Sequence, residues 1–351
     1  MRRNKATFVC GGKTVPASRF RVHPTVHALT REGWDVSLVE GYGHRDQKIR
    51  SPIARKAYRV GCRAMRAYRT ASLRLGGPVL IQRLAIPVMA LPEAKLMRRG
   101  VPVVFDFDDA VFLGKDGDEG RSRRRALDKV CANAAHVVAG NSWLAEQVRA
   151  DVPLTVLPTC IDTELYSPNK VAVEDRLPRV GWIGTSGNLQ NLWQIVPSIE
   201  KLRRDTQEFE IAICSDGVDH DLFKRLGANF VRWSPLNEVS FLQSLDIGLM
   251  PLVDSDWSRG KCSFKLIQYL AVGCPAVGSA VGMNNDVLRG DYGGRLVRDD
   301  NWEEPLAELL EDLGLRDRVS RQARSRAVAD YDVRVAIDTY RSILERLQEN
   351  S

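Results

Sequence analysis

Short apolar runs alternate with segments of helical spacing along most of the chain. In those segments, apolar residues recur every three or four positions, as on one face of a helix. Strands that alternate with helices form parallel sheets, so the pattern predicts an α/β fold with doubly wound sheets. The predicted strands are 5–10, 34–40, 78–82, 101–113 (a buried strand that runs into three aspartates), 136–140, 154–158, 179–183, 209–214, 230–233, 246–252 and 276–281. The predicted helices are 19–32, 92–99, 120–135, 142–150, a stretch from about 188, 237–244, 263–272, 302–313, 317–329 and 333–347.

The alternation is interrupted by a polar stretch at 166–178, which contains Pro168 and ends at Pro178. Prolines among polar residues favour a linker, and the strand and helix pattern begins again after it. A length of 351 residues suits two domains at about one per 150 residues. We predict an N-terminal Rossmann-like domain at 1–168, a C-terminal one at 177–331 and a last helix at 332–351.

Composition places the chain among globular proteins. A hydrophobic content of 44% is enough for packed cores, and no apolar segment reaches the roughly 18 residues of a membrane span. MRRNKATFVCGG passes from charge straight into a strand-like run, unlike a signal peptide. The seven cysteines have no C-x-x-C spacing, and we interpret them as buried thiols in a reducing cytoplasm. The net charge of +7 suits an anionic ligand or surface.

Residues 246–290 form the most informative stretch. A predicted strand is followed by a polar loop at 254–260, a helix at 263–272 and a second strand, which together make one βαβ unit. Lys261 and Lys265 fall in the loop and in the first helical turn, at the carboxyl end of the first strand. Open α/β sheets bind ligands at that end, and a helix N-terminus with two lysines favours an anion.

This stretch, DIGLMPLVDSDWSRGKCSFKLIQYLAVGCPAVGSAVGMN, resembles the donor-binding segment of family 4 (group 1) glycosyltransferases of the two-domain GT-B type. It is most similar to a bacterial subgroup that reads roughly DIGIMPL…W..GKCGFKLLQYMA.G.PVV.SPVG.N. The phrases ASRFRVHPTVHALTREGWDVSLVE, VFDFDDA, AAHVVAGNSWLAEQV and LTVLPTCIDTELYSP resemble the same subgroup. The resemblance implies two Rossmann-like domains that face each other across a cleft, with the last helix crossing back to the first domain.

The resemblance also implies a donor site in the second domain. Members of the family clamp the diphosphate with an Arg and a Lys just after the first glycine-rich turn, but this chain has neither before Lys201. We infer that Arg259, Lys261 and Lys265 replace this Arg and Lys. Two family glutamates that hold the sugar and the ribose align with Gly260 and Gln268, and Asp254 or Asp256 is an alternative sugar contact. The predicted donor-binding residues are Gly184, Thr185, Ser186, Gly187, Arg232, Arg259, Lys261, Cys262, Ser263, Phe264, Lys265, Gln268 and Asn284.

Three aspartates follow the buried run that begins at 101: Asp106, Asp108 and Asp109. One interpretation is a D-x-D site for a divalent ion; the other is the acceptor wall of a metal-free site. We favour the second, because VFDFDDA resembles the subgroup, although one aspartate at a strand end can equally cap the next turn. We predict Asp108, Asp109 and Lys265 as catalytic residues, with no metal and no cofactor.

Five residues are predicted to line the acceptor side of the cleft: Gly11, Gly12, Arg19, Arg21 and Asp106. For the two arginines, exposure on a first helical turn is an equally good interpretation. Trp233, which ends a predicted strand beside Arg232, is either a contact to the nucleotide base or a core residue.

Residues 45–74 contain ten Lys and Arg and one acidic residue, Asp46, interleaved with apolar positions. This predicts a basic amphipathic helix. Three interpretations are open: a solvated helix face, a contact with an anionic membrane surface through 45–75, or a nucleic-acid patch. The solvated face is the commonest outcome, and we expect no nucleic acid because no recognised motif accompanies the charge.

The resemblance implies a metal-independent, retaining glycosyltransferase that moves a sugar from a UDP-, GDP- or similar donor to a hydroxyl acceptor. The acceptor is a small molecule, a lipid-linked group or a saccharide, in natural-product, glycolipid or polysaccharide biosynthesis. The expected location is the cytoplasm, at the inner face of the membrane if the basic helix binds there. Gly260 and Gln268 motivate the alternative of a catalytically silent binding protein, and the basic segment motivates a membrane- or nucleic-acid-binding protein.

Overall fold

The structure, a computed structural model, describes residues 3–12, 15–41, 49, 51–73, 76–114, 118–168, 176–205 and 208–349. The chain divides into two compact units. The first unit contains 1–160, 260–262 and 333–351, and the second contains 161–259 and 263–332. Part of the predicted linker (169–175) and part of the basic segment (45–48, 50 and 74) lie outside the described residues.

The first unit is built on a parallel sheet of six strands in the order β2-β1-β3-β4-β5-β6. All its strands but the outer ones, β2 and β6, are mostly buried, as expected of a sheet with helices on both faces. The strands are β1 (Lys5–Cys10), β2 (Asp35–Glu40), β3 (Val79–Gln82), β4 (Val103–Phe107), β5 (His136–Ala139) and β6 (Leu154–Val156).

Helices of the first unit connect these strands, and the last helix of the chain completes its core. A π-helical turn at Ser18–Val22 leads directly into α1. Tyr340 and Leu344 of the last helix are buried in one cluster with Phe8 of β1 and Leu80 of β3. The helices are α1 (His23–Arg31), α2 (Pro52–Ala71), α3 (Leu91–Met97), α4 (Asp118–Cys131), α5 (Ser142–Glu146) and, at the end of the chain, α14 (Val333–Glu349).

The second unit has a parallel six-stranded sheet in the order β12-β11-β10-β7-β8-β9. The strand order reverses beside β7 and β10, and ligands of doubly wound sheets bind where the order reverses. The strands are β7 (Arg179–Gly184), β8 (Glu210–Ser215), β9 (Ala228–Arg232), β10 (Ile247–Met250), β11 (Ala276–Ser279) and β12 (Gly294–Val297).

Helices cover both faces of this sheet, and its core includes the buried Trp182 and Trp302. Two 3₁₀ segments, Ser186–Ile195 and Arg289–Asp291, interrupt the α-helical pattern. The helices are α6 (Val196–Asp205), α7 (His220–Leu226), α8 (Glu238–Gln243), α9 (Asp256–Arg259), α10 (Phe264–Ala271), α11 (Asn284–Val287), α12 (Glu303–Glu311) and α13 (Leu313–Asp330).

The predicted α/β fold with two parallel sheets is confirmed. Four local predictions need correction: β12 and α7 were missed, the loop at 254–260 contains α9, and the helix predicted at 142–150 ends at Glu146. The edge strand β12 was missed because Gly294 and Arg295 leave only two apolar residues in it. Within the described part of the chain, no helix has the length and apolarity to cross a bilayer.

Candidate active site

In the second unit, the glycine-rich turn after β7 meets the first turn of α10. The Nζ of Lys265 lies 5.3 Å from the centre of the Trp182 ring. Gly184 is packed so closely that a Cβ there would lie 2.7 Å from Cε of Lys265. The structure therefore brings together two predicted donor-binding elements that are far apart in sequence, and glycine is required where they touch.

The exposed residues of this turn are Thr185, Ser186 and Gly187. The Ser186 amide donates to Oδ1 of Asp216 at 2.6 Å, and the hydroxyl of Thr185 accepts from the Asn188 amide at 2.8 Å. A phosphate oxygen at the Ser186 amide therefore has to displace the Asp216 carboxylate. Asp216 gave no sequence signal, because an aspartate directly after a strand is common in any turn.

At the N-terminus of α10, Ser263 holds an unusual backbone conformation. Its φ of 47° is left-handed, a region that favours glycine, and the subgroup that the chain resembles has glycine there. The Ser263 hydroxyl donates to Oδ1 of Asn284 at 2.7 Å, and the Asn284 amide donates to the carbonyl of Ser279 at 2.9 Å. Asn284 is fully buried, so it braces the ends of α10 and β11, whereas we predicted it as a donor contact.

Gln268, predicted to bind the ribose, lies beside a buried carboxylate that we did not anticipate. Its amide donates to Oε1 of Glu238 at 3.2 Å, and Nε1 of Trp233 donates to Oε2 at 2.9 Å. The hydroxyl of Tyr166 also donates to Glu238. Glu238 is only 3% exposed. A glutamate in the first turn of a helix is usually explained by the helix dipole, so the sequence gave no reason to single it out.

Arg259 and Arg232 are both exposed. The guanidinium of Arg259 binds Asp254 with two contacts of 2.8 Å, and Asp256 lies 3.6 Å away. The arginine that we expected to neutralise a diphosphate is thus already balanced by the two aspartates that we offered as sugar contacts. Sequence spacing alone does not reveal this pairing, because the three side chains meet only through the turn into α9.

In the first unit, Arg21 and Asp106 form an interior ion pair. Nη2 of Arg21 lies 2.5 Å from Oδ1 of Asp106, and Nη1 donates to the carbonyl of Leu157 at 2.9 Å. The hydroxyl of Tyr340, on α14, donates to the same aspartate at 3.1 Å. Arg21 and Asp106 are almost fully buried. With Tyr340 they connect the π-helical turn before α1, β4 and α14, which differs from the predicted position on a ligand-facing surface.

The neighbouring predicted residues fall at the end of β1. The Gly11 amide donates to the hydroxyl of Ser18 at 3.0 Å, and Gly12 has a left-handed φ of 117°. The Arg19 guanidinium stacks on the ring of Phe20, 4.6 Å from its centre. Both glycines are buried and Arg19 is half-buried, so these residues shape the loop after β1.

Asp108 and Asp109 share one arginine, Arg83, which we did not predict. Nε of Arg83 lies 2.7 Å from Oδ1 of Asp108, and Nη2 lies 2.5 Å from Oδ2 of Asp109. Arg83 has a left-handed φ of 58°, a strained conformation of the kind that clusters at functional sites. Its signal in the sequence was weak, since one arginine after a buried strand has many explanations.

This cluster separates the ionisation of the two aspartates. Burial acts to raise the pKa of Asp108, but Arg83 and Arg21 outweigh it and hold the pKa below the ordinary value. Burial and the charge of Asp108 raise the pKa of Asp109 to about 6, against the attraction of Arg83. A carboxyl group that titrates near neutral pH is suited to accept a proton. Because arginine occupies these carboxylates, the arrangement fits a salt-bridge cluster better than a D-x-D metal site.

Residues 260–262 are grouped with the first unit, although we assigned Lys261 and Cys262 to the donor site. The Cys262 thiol donates to the carbonyl of Asp108 at 2.8 Å, and the carbonyl of Lys261 accepts from the Asn141 amide at 2.9 Å. Burial lowers the pKa of Lys261, and the charge of Asp109 opposes this. A Cβ at Gly260 would lie 2.6 Å from Cβ of Ala110, so the position aligned with the first family glutamate has no room for a side chain.

Residues 177–314 match the family model described as "Glycosyl transferases group 1". This span lies within the second unit apart from residues 260–262. It contains the turn at Gly184, the helix α10, and three of the four residues of the Glu238 cluster (Glu238, Trp233 and Gln268, but not Tyr166). No curated protein matches the chain.

Solved structures that resemble the chain are distant in sequence. Sucrose-phosphate synthase from Thermosynechococcus elongatus is 14% identical, with a TM-score of 0.73 and full coverage of both chains. A glycosyltransferase from Rickettsia africae ESF-5 is 11% identical, with a TM-score of 0.74 and full coverage of both. Anabaena HepE in complex with UDP-glucose is 14% identical, with a TM-score of 0.70, over 98% of this chain and 100% of that one. The chain therefore has the fold of these glycosyltransferases, and its second unit carries the sequence pattern of group 1 glycosyl transferases.

Proposed function

We propose that the protein is a retaining, metal-independent glycosyltransferase that uses a nucleoside diphosphate sugar and a hydroxyl acceptor. The observation that carries the proposal is the contact between Lys265 and Gly184 at the reversal of strand order in the second unit. A cation, a helix N-terminus and a glycine-rich turn with small residues are together suited to a diphosphate. HepE, which shares the fold, was solved with UDP and with UDP-glucose.

In this proposal the second unit stabilises the leaving diphosphate. Lys265 and the amides of the first turn of α10 neutralise the charge that develops as the bond to the sugar breaks. The Glu238 cluster positions Gln268 and Trp233 beside the nucleoside. The first unit provides the acceptor site, where Asp109 receives the proton of the attacking hydroxyl and Arg83 holds the carboxylate. No side chain has to form a bond to the sugar, which is consistent with transfer assisted by the donor phosphate.

A nucleotide panel tests the donor assignment. The thermal shift and the calorimetric affinity of UDP, GDP and their sugars are measured for the full-length protein, together with release of free sugar. Lys265→Ala should weaken the preferred nucleotide about 10- to 100-fold, the value of one charge-assisted contact of about 1.5–3 kcal/mol. Lys201→Ala is the matched control, because Lys201 is exposed and lies 3.8 Å from Glu303. Absence of binding by any nucleotide sugar, or equal effects of the two variants, would refute the proposal.

A second candidate is a binding protein that holds a nucleotide sugar without transferring it. The absence of space for a carboxylate at Gly260 favours this candidate, because the family uses a glutamate there to hold the sugar. The two functions differ in turnover. The silent protein would bind the donor tightly and lose this binding in Lys265→Ala. It would neither release the sugar nor transfer it to any acceptor that is tried.

We also propose that α2 touches an anionic membrane surface. Its positions 53, 57, 60, 64 and 68 follow the three-and-four spacing of one face, and all five are exposed. Ile53 is 82% exposed and Tyr68 is 69% exposed, and basic residues flank them. An apolar stripe that faces solvent between basic residues suits the interface of a bilayer.

Vesicle sedimentation tests this contact. Binding to phosphatidylglycerol vesicles should fall when Ile53 and Val60 are both changed to Asp. The same number of aspartates at Leu236 and Val253, two exposed residues of the second unit, should change binding much less. Equal losses in both double variants would show that net charge alone governs binding, and the α2 contact would be rejected.

A further inference from the structure

A cavity in the first unit lies beside Arg83. Its volume is about 160 Å³, whereas an engineered cavity of about 150 Å³ is sufficient for benzene. The cavity therefore accommodates one ring or one phosphate group. A nucleotide sugar is several times larger, so the ligand of this cavity is not the whole donor.

Arginines supply most of the charge that faces the cavity. Arg63 and Arg66 come from α2, Arg83 from the turn after β3, and Arg123 from α4. Among the described residues, none that lines the cavity carries a carboxylate. Three separate elements thus contribute four arginines to the lining of one small volume.

Backbone carbonyls hold two of these arginines in place. Arg66 is only 6% exposed, and its Nη2 donates to the carbonyls of Gln82 at 2.8 Å and Arg83 at 2.7 Å. Nη1 of Arg123 donates to the carbonyl of Val111 at 3.2 Å. A carbonyl orients a guanidinium without cancelling its charge, so the cavity is organised for an anion before the anion arrives.

Several carboxylates act on the same arginines from outside the lining: Asp108, Asp109, Glu119 and Glu93. The first two bind Arg83, and Glu119 is an exposed partner of Arg123 at 2.6 Å. Burial raises the pKa of Glu93, which weakens its effect on Arg66. Asp108, Asp109 and Glu119 therefore balance charge on Arg83 and Arg123, and the cavity keeps a small positive excess because its lining adds two further arginines and no carboxylate.

The rest of the lining is largely apolar: Leu84, Pro87, Phe105, Phe112 and Leu127. Apolar walls exclude water and strengthen the attraction between an anion and a guanidinium. They also favour a ligand with an apolar or ring-shaped part next to its charged group. The cavity therefore has two requirements, one anionic and one apolar.

We propose that this cavity binds the phosphate group of a phosphorylated acceptor. One bidentate guanidinium satisfies a planar carboxylate, whereas a phosphate monoester has three terminal oxygens and about two negative charges. The lining offers such a group Arg63 and Arg66, with the ion-paired Arg83 and Arg123 beside them. Arg83 connects the cavity to the proposed base, since its Nη2 lies 2.5 Å from Oδ2 of Asp109. This inference rests on the proposed function and assigns its acceptor to the phosphate esters.

Calorimetry with phenyl phosphate, a ring that carries a phosphate monoester, tests the inference on the full-length protein. Phenyl phosphate should bind, phenol should not, and benzoate should bind at least about tenfold more weakly at equal ionic strength. Arg63→Gln should weaken phenyl phosphate about tenfold, because one charge-assisted contact is lost. The control is Arg69→Gln, which removes the same charge from an exposed position of α2 outside the lining and should leave the affinity unchanged.

Nucleotide binding separates this inference from the proposed function. UDP and UDP-glucose should bind Arg63→Gln as they bind the wild type. If no nucleotide binds but phenyl phosphate still depends on Arg63, the phosphate site stands and the transferase assignment fails. If phenol binds as well as phenyl phosphate, or if Arg63→Gln and Arg69→Gln lose affinity equally, the phosphate site itself is overturned.

Lipid phosphates and soluble phosphate esters present the same chemistry to the cavity. Vesicles of phosphatidylcholine with phosphatidic acid distinguish them. Release of the protein from these vesicles by phenyl phosphate, in the wild type but not in Arg63→Gln, supports a lipid phosphate. A soluble phosphate ester is supported if vesicle binding is altered neither by added phenyl phosphate nor by Arg63→Gln, while phenyl phosphate binding still depends on Arg63.

Discussion

Substitution of Gly184 by alanine should impair donor binding by displacing Lys265. A Cβ at this position would lie 2.5 Å from Cη2 of Trp182 and 2.7 Å from Cε of Lys265. Both distances are far below van der Waals contact. Trp182 is almost fully buried and has little freedom to move, so the backbone at position 184 has to shift away from the ring and the flexible lysine has to leave its place.

Two magnitudes follow from this geometry. Forcing one extra methyl group into a packed site costs about 1–3 kcal/mol of folding free energy. If the lysine loses its contact with the donor phosphate, the loss is about 1.5–3 kcal/mol, or roughly 10- to 100-fold in affinity. We expect Gly184→Ala to approach the affinity of Lys265→Ala for the preferred nucleotide and to unfold at lower urea concentration.

Calorimetry with the preferred nucleotide and urea unfolding give the two measurements. Gly61→Ala is the control, because Gly61 is exposed on α2 and a Cβ there meets nothing within 4 Å. In the double variant, Gly184→Ala should add little to the affinity loss of Lys265→Ala, since both remove one contact. Equal affinities of Gly184→Ala and Gly61→Ala, or additive losses in the double variant, would contradict the proposed coupling of the turn to Lys265.

Two further predictions concern the first unit. Activity should fall as the pH drops through about 6, because burial raises the pKa of Asp109 to that value and only the ionised carboxylate accepts a proton. The measurement is the rate as a function of pH. If Asp109→Asn shows the same loss of activity below about pH 6, Asp109 is not the base. Since this pKa lies above its ordinary value of 3.8, the contribution of Asp109 to stability declines as the pH rises from about 4 to 6. Tyr340→Phe should lower the free energy of unfolding by about 1.5–3 kcal/mol, because the Asp106 carboxylate loses a donor. The exposed Tyr68→Phe serves as its control in urea titrations, and equal midpoints for the two variants would exclude a stabilising role of that hydrogen bond.

Most of the fold could be predicted because apolar spacing encodes local geometry. The strand at 5–10 was predicted residue for residue as β1, since Ala6, Phe8, Val9 and Cys10 supply the apolar positions that a mostly buried parallel strand needs. The helix that became α10 was also anticipated to within one residue at each end. Edge strands and short helices carry less of this signal, which is why β12, α7 and α9 were missed.

The candidate site was less predictable. Lys265 could be placed at a helix N-terminus from the sequence, because the helix boundary and the preceding strand are both local features. Arg83 and Glu238 could not be identified in this way. Their partners lie 26 and 30 positions away, and no periodicity links residues at that separation.

Apolar spacing was enough to predict most strands and helices, the parallel pairing of the sheets and a lysine in the first helical turn of the βαβ unit. The folded structure was needed to show that Arg21 is buried against Asp106 while Arg83 holds Asp108 and Asp109. All three pairings join elements distant in sequence. The physical reason is that burial demands a partner for each charge, and only the packing of distant elements selects which partner arrives.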